Sequence, residues 1–401
     1  MKNFFINNRA QLIATLKGGL VVVTAYSGMQ RSNDTAFAFE QEANFWWLSG
    51  IEVADWWLII DGVRGKAWLV APVISKVHEQ FDGSLSPEDA LKISGVDGVI
   101  SESEAEALLR NLAKKHSVVH TLGKQPYAEY LNFTLNSAPK KLHETLTRIF
   151  NSVQDCRKEL SQLRAIKQPI EIAYMKQAIN LTVDAFKAMK ENLPRLKYEY
   201  EIEAELTHYV RSRGATGHAF DPIVASGENA CTLHYIKNNA KLKRRELVLL
   251  DIGVRHHGYA SDIARTYAYG EPTKRQRDVY NAIKSAHITI IKLLKPGLSV
   301  EQYQQDTDAI MADTLVSLGL MKGRSDQQNY RRYFPNAISH GLGIDTHDSL
   351  GAPHFFKPGM VLTVEPGVYI PEEGIGVRIE DDILISDTGH TNLSARLSTD
   401  L

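Results

Sequence analysis

Long apolar runs interrupted by single acids are the dominant pattern in the C-terminal half of this chain. Apolar residues flank Asp251, Glu365 and Glu380 almost continuously. Such runs are typical of strands that are buried on both faces, whereas amphipathic helices show a period of 3.6 residues. Ionised carboxylates are almost never buried without a compensating partner. The pattern therefore predicts buried strands whose acids serve a binding or catalytic purpose.

Two of these strands are predicted to form a hairpin around His256-His257-Gly258. A turn centred between His256 and His257 places Asp251 opposite Asp262. Facing residues of an antiparallel pair have Cβ atoms roughly 5 Å apart. Two bare carboxylates at that distance repel each other unless a cation lies between them.

A second hairpin repeats this arrangement. A turn centred between Glu372 and Glu373 places Glu365 opposite Glu380. Surface acids on an exposed sheet face are the alternative, and Arg265 or Arg378 could neutralise part of the charge. Two arginines do not easily neutralise four carboxylates, so we interpret the two pairs as a site for two metal ions.

A glycine-rich segment, residues 339–348, adds His340 and His347. One imidazole among hard oxygen ligands suits Mn, Co or Zn better than a thiolate site would. Two such cations about 3.5–4 Å apart, with a bridging water made nucleophilic at neutral pH, are typical of metal-assisted hydrolysis. His256 and His257 are interpreted as bystanders, because a polar turn at the hairpin tip is sufficient to explain them. His218 and His354 are also interpreted as bystanders, since nothing in their spacing requires a place in the site.

All five tryptophans lie within the first 68 residues, far from the acids described above. This asymmetry predicts an α/β N-terminal domain over 1–160 and a catalytic domain over 161–401. Strands are expected at 20–24, 56–61 and 66–71, and helices at 103–116, 140–167, 168–192 and 198–213. The tryptophans either form a surface that binds a second copy of the chain or simply fill the core of their domain.

Composition narrows the class of protein. A net charge of −1 and a pI of about 6.9 give no electrostatic basis for binding nucleic acid or an anionic membrane. No apolar run approaches the ~20 residues of a membrane span. The first residues lack the apolar segment of a signal peptide. Two cysteines are too few for a disulfide framework, so we expect a reducing, cytoplasmic compartment.

These motifs resemble the pita-bread metallopeptidases, and among them the proline-specific branch of aminopeptidase P and prolidase. The matching stretches are 226–235, 249–266, 339–348, 358–369 and 376–382, together with 31–35 and 39–50 in the N-terminal domain. The resemblance implies an α/β N-terminal domain followed by an α+β pita-bread domain of two αα-ββ halves. It also implies a ligand set of Asp251, Asp262, His340, Glu365 and Glu380, with Asp262 and Glu380 bridging two divalent ions, most readily Mn.

The same resemblance implies roles for further residues. A metal-bridging hydroxide attacks the scissile carbonyl, and Glu365 moves the proton to the leaving proline nitrogen. His234 and His347 contact the substrate and stabilise the intermediate. Arg378 reaches Asp251 and is joined by Tyr369. Family members form homodimers in which the N-terminal domain leans towards the partner's cleft.

The chain departs from the family pattern at two places. Asn336 occupies a position where these peptidases usually carry a histidine, and residues 341–364 contain no arginine. A strict Xaa-Pro dipeptidase must pair the buried carboxylate of proline, for which that arginine is the usual partner. The sequence therefore favours an Xaa-Pro aminopeptidase acting on peptides with proline second. The alternatives are a dipeptidase of the prolidase type and a catalytically inactive pita-bread binding protein.

Overall fold

The structure, a computed structural model, describes residues 1–123 and 133–401. The chain divides into two compact units, residues 1–163 and residues 164–401. The strands of the first unit are β1 (Leu20–Thr24), β2 (Gln30–Ser32), β3 (Thr35–Ala36), β4 (Trp57–Asp61), β5 (Lys66–Ala71), β6 (Gly98–Ser101), β7 (Val118–Thr121) and β8 (Ser152–Asp155). Its helices are α1 (Lys2–Thr15), α2 (Ala43–Ser49), α3 (Lys76–Asp82), α4 (Pro87–Ser94), α5 (Glu102–Ala113) and α6 (Ala138–Ile149). A seventh helix, α7 (Arg157–Ala165), leads into the second unit.

The first unit is α/β, as predicted, and is built on a mixed sheet with the order β6-β5-β4-β1-β7-β8. Strands β1, β4 and β5 lie close to the predicted ranges because their apolar residues pack against α5 and α6 in one core. The single helix predicted over 140–167 is wrong. Strand β8 interrupts it, since Val153 pairs with Val119 of β7 and packs against the same core.

The interpretation of the tryptophans as an interaction surface is also wrong. Trp46, Trp47 and Trp56 are 6%, 1% and 1% exposed, so they fill the core of their unit. Phe5 and Trp46 pack edge to face with ring centroids 5.7 Å apart. The large apolar side chains that do remain exposed in this unit lie elsewhere, and α3 buries none of its side chains.

The second unit contains helices α8 (Pro169–Asn192), α9 (Glu199–Arg211), α10 (Lys274–Leu293), α11 (Val300–Ser317) and α12 (Gln327–Tyr333). Its strands are β9 (Gly217–His218), β10 (Ile223–Ser226), β11 (Glu246–Ile252), β12 (Val254–His256), β13 (Tyr259–Ala260), β14 (Ile263–Tyr269), β15 (Val361–Val364), β16 (Gly367–Ile370), β17 (Ile375–Arg378), β18 (Asp381–Ile385) and β19 (His390–Asn392). Helix α8 starts at the predicted position because Pro169 suits its first turn and Glu171 accepts from the Gln168 N–H at 2.9 Å. Among the described residues, no helix is long and apolar enough to cross a membrane.

The second unit has the predicted duplicated αα-ββ architecture. In the first half α8 packs on α9 and is followed by the hairpin of β11 to β14. In the second half α10 packs on α11 and is followed by the hairpin of β15 to β18. A large apolar core of this unit lies between α10, α11 and the second hairpin.

The register predicted for the first hairpin is wrong by two residues. Asp251 lies opposite Ala264 rather than Asp262, and His256 pairs with Tyr259. The turn is therefore centred one residue later than predicted. Its two central residues, His257 and Gly258, have φ of +51° and +81°, as a two-residue type I′ turn requires. A two-residue slip keeps every side chain on its original face, so Asp262 still lies on the same face as Asp251.

The register of the second hairpin is as predicted. Val364 pairs with Asp381, and Gly367 pairs with Arg378. Between these pairs the ladder is interrupted, and Glu365 and Glu380 face each other in the gap. The two hairpins are joined at this level, since the Glu380 N–H donates to the Ala264 carbonyl at 3.0 Å.

Candidate metal centre

Residues from both hairpins and from the glycine-rich segment converge on one point. Asp262, His340 and Glu380 each offer a ligand atom, and these atoms lie within 4.8 Å of one another. His340 Nε2 is 3.4 Å from Asp262 Oδ2 and 3.5 Å from Glu365 Oε1. Four of the five ligand residues predicted from the sequence are thus in direct proximity.

The fifth, Asp251, lies beside Asp262 and forms an ion pair with Arg378. Arg378 Nη2 lies 2.9 Å from Asp251 Oδ2, and its Nη1 donates to the Tyr369 hydroxyl at 2.8 Å. Arg378 and Tyr369 are 3% and 2% exposed, so this chain of contacts is buried. The other oxygen, Asp251 Oδ1, is buried without a hydrogen-bond donor among the described residues.

Burial and the neighbouring carboxylates raise the pKa values of the acids of this centre. Burial raises the pKa of Asp262 well above its usual range, and the neighbouring Asp251 raises it further. Burial and the charges of Asp262 and Glu365 do the same to the pKa of Glu380. Burial raises the pKa of Glu365 to about 7, although His340 and Arg378 act in the opposite direction. One arginine therefore does not compensate four carboxylates.

These observations fit divalent metal ions as the partners of the carboxylates. The donor set consists of hard carboxylate oxygens and one imidazole, which suits Mn, Co or Zn. A buried acceptor without a donor among the described residues, such as Asp251 Oδ1, is suited to bind a cation. Buried charges of one sign are tolerated when they coordinate metals.

The two remaining predicted site histidines lie at the solvent side of this centre. The ring of His347 stands edge to face against that of His340, with centroids 4.4 Å apart. Partial burial lowers the pKa of His347 to about 4, and the nearby His340 and His234 add to the effect. His234 and His347 are both exposed to solvent, so they line the open side of the centre and do not belong to its buried part.

The histidines interpreted as bystanders lie outside the cluster. The rings of His256 and His257 pack against each other at an angle of 52° at the tip of the first hairpin, with centroids 4.1 Å apart. His218 Nε2 is 2.8 Å from the Thr207 hydroxyl. The carbonyl of His354 accepts from the Val300 N–H at 3.0 Å.

Three contacts at the centre were not foreseen from the sequence. Asn336 Nδ2 lies 3.2 Å from the carbonyl of Glu365 and 3.3 Å from its Oε2, so the amide orients a predicted ligand. Asp382 Oδ2 accepts from the Asp262 N–H at 3.3 Å. Arg265 donates to the Glu380 carbonyl at 2.7 Å and pairs with Asp381 at 2.6 Å, so it does not neutralise a ligand carboxylate.

Comparison with known proteins agrees with this geometry. Residues 173–387 match the metallopeptidase family M24, and the chain belongs to that family. It is therefore a metal-dependent peptidase. Residues 5–120 match the N-terminal domain of aminopeptidase P, which places the chain beside that branch of the family.

Individual relatives resemble the chain over nearly its full length. The Xaa-Pro aminopeptidase of Escherichia coli is 34% identical, over 98% of this chain and 94% of its own. Xaa-Pro aminopeptidase 3 of Homo sapiens is 33% identical, over 94% of this chain and 78% of its own. The solved structure of E. coli aminopeptidase P with the inhibitor Pro-Leu is 30% identical and has a TM-score of 0.86, covering 100% of this chain and 96% of that chain.

Proposed function

We propose that this chain is a dinuclear metal-dependent Xaa-Pro aminopeptidase, which releases the N-terminal residue from peptides whose second residue is proline. The observation that carries the proposal is the buried cluster of carboxylates around His340, with the exposed side chains of His234 and His347 on one side of it. The E. coli and human relatives named for this activity support the same substrate class.

Five residues would hold the metal ions: Asp251, Asp262, His340, Glu365 and Glu380. Mn is the proposed native ion, and Co or Zn could occupy the same oxygen-rich set. When bound, two such ions lower the pKa of a water molecule and polarise the scissile carbonyl. Arg378 and Tyr369 hold the Asp251 carboxylate in place, which is the usual task of residues behind metal ligands.

The remaining steps use side chains of this chain. Glu365 Oε accepts the proton of the attacking water and transfers it to the leaving proline nitrogen. Its position beside His340 and the 13% exposure of its side chain support this role, because the group borders both the buried cluster and the open side. His347 and His234 donate to the oxyanion that develops on the scissile carbonyl. Asn336 keeps Glu365 oriented through its amide.

We prefer the aminopeptidase over the dipeptidase because the two enzymes must bind different groups after proline: a further residue in the first case and a free carboxylate in the second. A dipeptidase has to pair the carboxylate of the product proline, and residues 341–364 offer no arginine for it. The inhibitor in the E. coli aminopeptidase P structure, Pro-Leu, carries a further residue after proline. An aminopeptidase needs only open space beyond the proline ring for such a residue, whereas an arginine that pairs the carboxylate of proline would exclude it.

Steady-state kinetics on three peptides tests the proposal. The metal-supplied enzyme is given Xaa-Pro, Xaa-Pro-Yaa-Yaa and Xaa-Ala-Yaa-Yaa, each with Mn, Co or Zn. The expected result is the highest kcat/KM on Xaa-Pro-Yaa-Yaa and slow turnover of the alanine peptide. A tenfold higher kcat/KM on the dipeptide would assign the prolidase activity instead. No turnover of any peptide with any of the three metals would contradict peptidase activity on proline substrates.

The same proposal includes a homodimer or higher homo-oligomer and a reducing, cytoplasmic compartment. Val73, Val77 and Phe81 are 84%, 63% and 83% exposed, and the last two lie one turn apart on α3. Clustered exposed apolar side chains usually mark a protein interface. Cys156 and Cys231 are both free thiols, which supports a reducing environment.

A further inference from the structure

The segment from Gly341 to Asp348, here called the 341–348 loop, carries His347 and directly follows His340. Its two ends are joined, because the Asp348 N–H donates to the Gly341 carbonyl at 2.9 Å. Within it, the Gly343 N–H donates to the Asp345 carbonyl at 3.1 Å. Any interaction that fixes Asp348 therefore also fixes the position of His347 against His340.

Asp348 is fixed by two buried cations. Its Oδ1 lies 2.9 Å from Arg164 Nη2, and its Oδ2 lies 3.1 Å from Lys167 Nζ. The side chains of Arg164, Lys167 and Asp348 are only 5%, 2% and 4% exposed. Burial alone would raise the pKa of Asp348, but Arg164 and then Lys167 lower it below its usual value. The carboxylate is thus held ionised inside the protein.

The cations are in turn attached to the rest of the unit. Lys167 Nζ donates to the Arg164 carbonyl at 2.5 Å, and its backbone N–H donates to the Gly359 carbonyl at 2.9 Å. The loop itself is tied to β13, because the Ala260 N–H donates to the Gly343 carbonyl at 2.8 Å. The two cations and the 341–348 loop are therefore each held by hydrogen bonds of their own, in addition to the ion pair that joins them.

The 341–348 loop packs so closely on this ion pair that no residue larger than glycine fits at position 343. A Cβ atom added at Gly343 would lie 2.1 Å from Asp348 Oδ2 and 2.9 Å from Lys167 Nζ. The backbone of the loop consequently packs directly on the charged groups. An ion pair that served only the stability of the fold would not need to lie under the segment that presents His347.

We propose that Arg164, Lys167 and Asp348 form a buried ionic clamp that positions His347 for the reaction. Asp348 is a positioning residue in this proposal, since it acts through the loop and touches neither substrate nor metal. The inference rests on the proposed function in one respect, namely that His347 contacts the reacting peptide. Buried, hydrogen-bonded anchors of this kind keep a reacting group within the narrow range of productive geometry.

A double-mutant cycle between Asp348 and His347 tests the clamp. The variants are Asp348→Asn, His347→Ala and the double variant, assayed with Mn and a Xaa-Pro-Yaa-Yaa peptide. Asp345→Asn is the matched control, because Asp345 lies in the same loop and also pairs with Arg164 at 2.9 Å, but its side chain is 50% exposed. Bound metal is measured by elemental analysis in every variant.

The expected result is a loss of at least tenfold in kcat for Asp348→Asn, with KM within threefold of the wild type and metal content unchanged. Asp345→Asn should remain within twofold. The double variant should be no more than twofold worse than His347→Ala alone, because a positioning residue has no effect once its target is gone. Additive losses would show a purely structural role and overturn the proposal, as would an Asp348→Asn variant within threefold of the wild type.

Hydrogen exchange distinguishes an error in the proposed ionic clamp from an error in the proposed peptidase function. Asp348→Asn should increase amide exchange of the peptide covering 341–348, whereas Asp345→Asn should not, and this readout needs no substrate. Unchanged exchange would overturn the clamp even in an active enzyme. Increased exchange in a protein that cleaves no proline peptide would overturn the proposed function and the assigned role of His347. If Asp348→Asn does not fold, Lys167→Gln, which leaves the Arg164–Asp348 pair in place, is taken through the same cycle.

Discussion

Replacing Glu365 by glutamine should stabilise the metal-free protein while it removes the activity. Glu365 is buried among other acids, and burial raises its pKa from 4.5 to about 7. Each pH unit of that interval corresponds to about 1.4 kcal/mol of difference between the two protonation states. The ionised carboxylate therefore costs the folded, metal-free protein about 3 kcal/mol at pH 8, and glutamine avoids this cost.

The pH dependence follows from the direction of the shift. Between pH 4.5 and 7 the unfolded chain has already lost the proton that the folded chain retains, so the wild-type protein loses stability as the pH rises. The advantage of Glu365→Gln should be about 3 kcal/mol at pH 8 and only a few tenths of a kcal/mol at pH 4.5. The metal-loaded proteins should show the opposite order, because the wild type alone keeps the full ligand set.

Urea denaturation after chelation, at pH 8 and pH 4.5, gives the difference in the free energy of unfolding. Glu228→Gln, a change at an exposed glutamate of the same unit, is the control and should stay within about 0.5 kcal/mol at both pH values. A Glu365→Gln protein no more stable than the wild type at pH 8 would refute the argument that the buried, ionised carboxylate of Glu365 destabilises the fold. Near-normal turnover with bound metal would refute the role of Glu365 in proton transfer.

Three further predictions concern the centre and its surroundings. Asp262→Ala should lose bound metal and activity together, and elemental analysis that finds two metals in an active variant would contradict the ligand set. Arg378→Met should weaken metal affinity about 10- to 100-fold, because Asp251 loses the partner that orients it; calorimetric titration with Mn measures this, and an unchanged affinity would remove Arg378 from its role. Phe81→Glu should dissociate the proposed homodimer, which sedimentation detects; a wild-type protein that is already a monomer at micromolar concentration would rule the dimer out.

The sequence predicts the duplicated hairpins because their physical signal is local. Acids such as Asp251 and Glu365 stand out within apolar strands, and the turn after Pro371 ends at Gly374, whose φ of +60° suits glycine. The turn of the first hairpin lacked an equally clear signal. His257 adopts a φ of +51° that residues other than glycine seldom take, so its position at the centre of the turn could not be read from residue type alone.

Contacts between distant parts of the chain could not be predicted in this way. Arg164 and Asp348 are 184 residues apart in sequence, and neither has neighbours that indicate the other. Trp46 and Trp56 were ambiguous for a related reason, since a large aromatic residue suits a core as well as an interface. The departure at Asn336 was visible in the sequence, but its contact with Glu365 depends on the packing of the two segments.

The interruptions in the two hairpins explain why the acids meet at the junction of the halves. Where a ladder is interrupted, its backbone N–H groups need other acceptors. The Glu380 N–H of the second hairpin donates to the Ala264 carbonyl of the first, and the Asp262 N–H of the first donates to Asp382 of the second. These reciprocal bonds come from two of the proposed ligands themselves. Any movement of one half against the other would therefore displace ligands from both hairpins together, which makes the metal centre and the joint between the halves a single structural element.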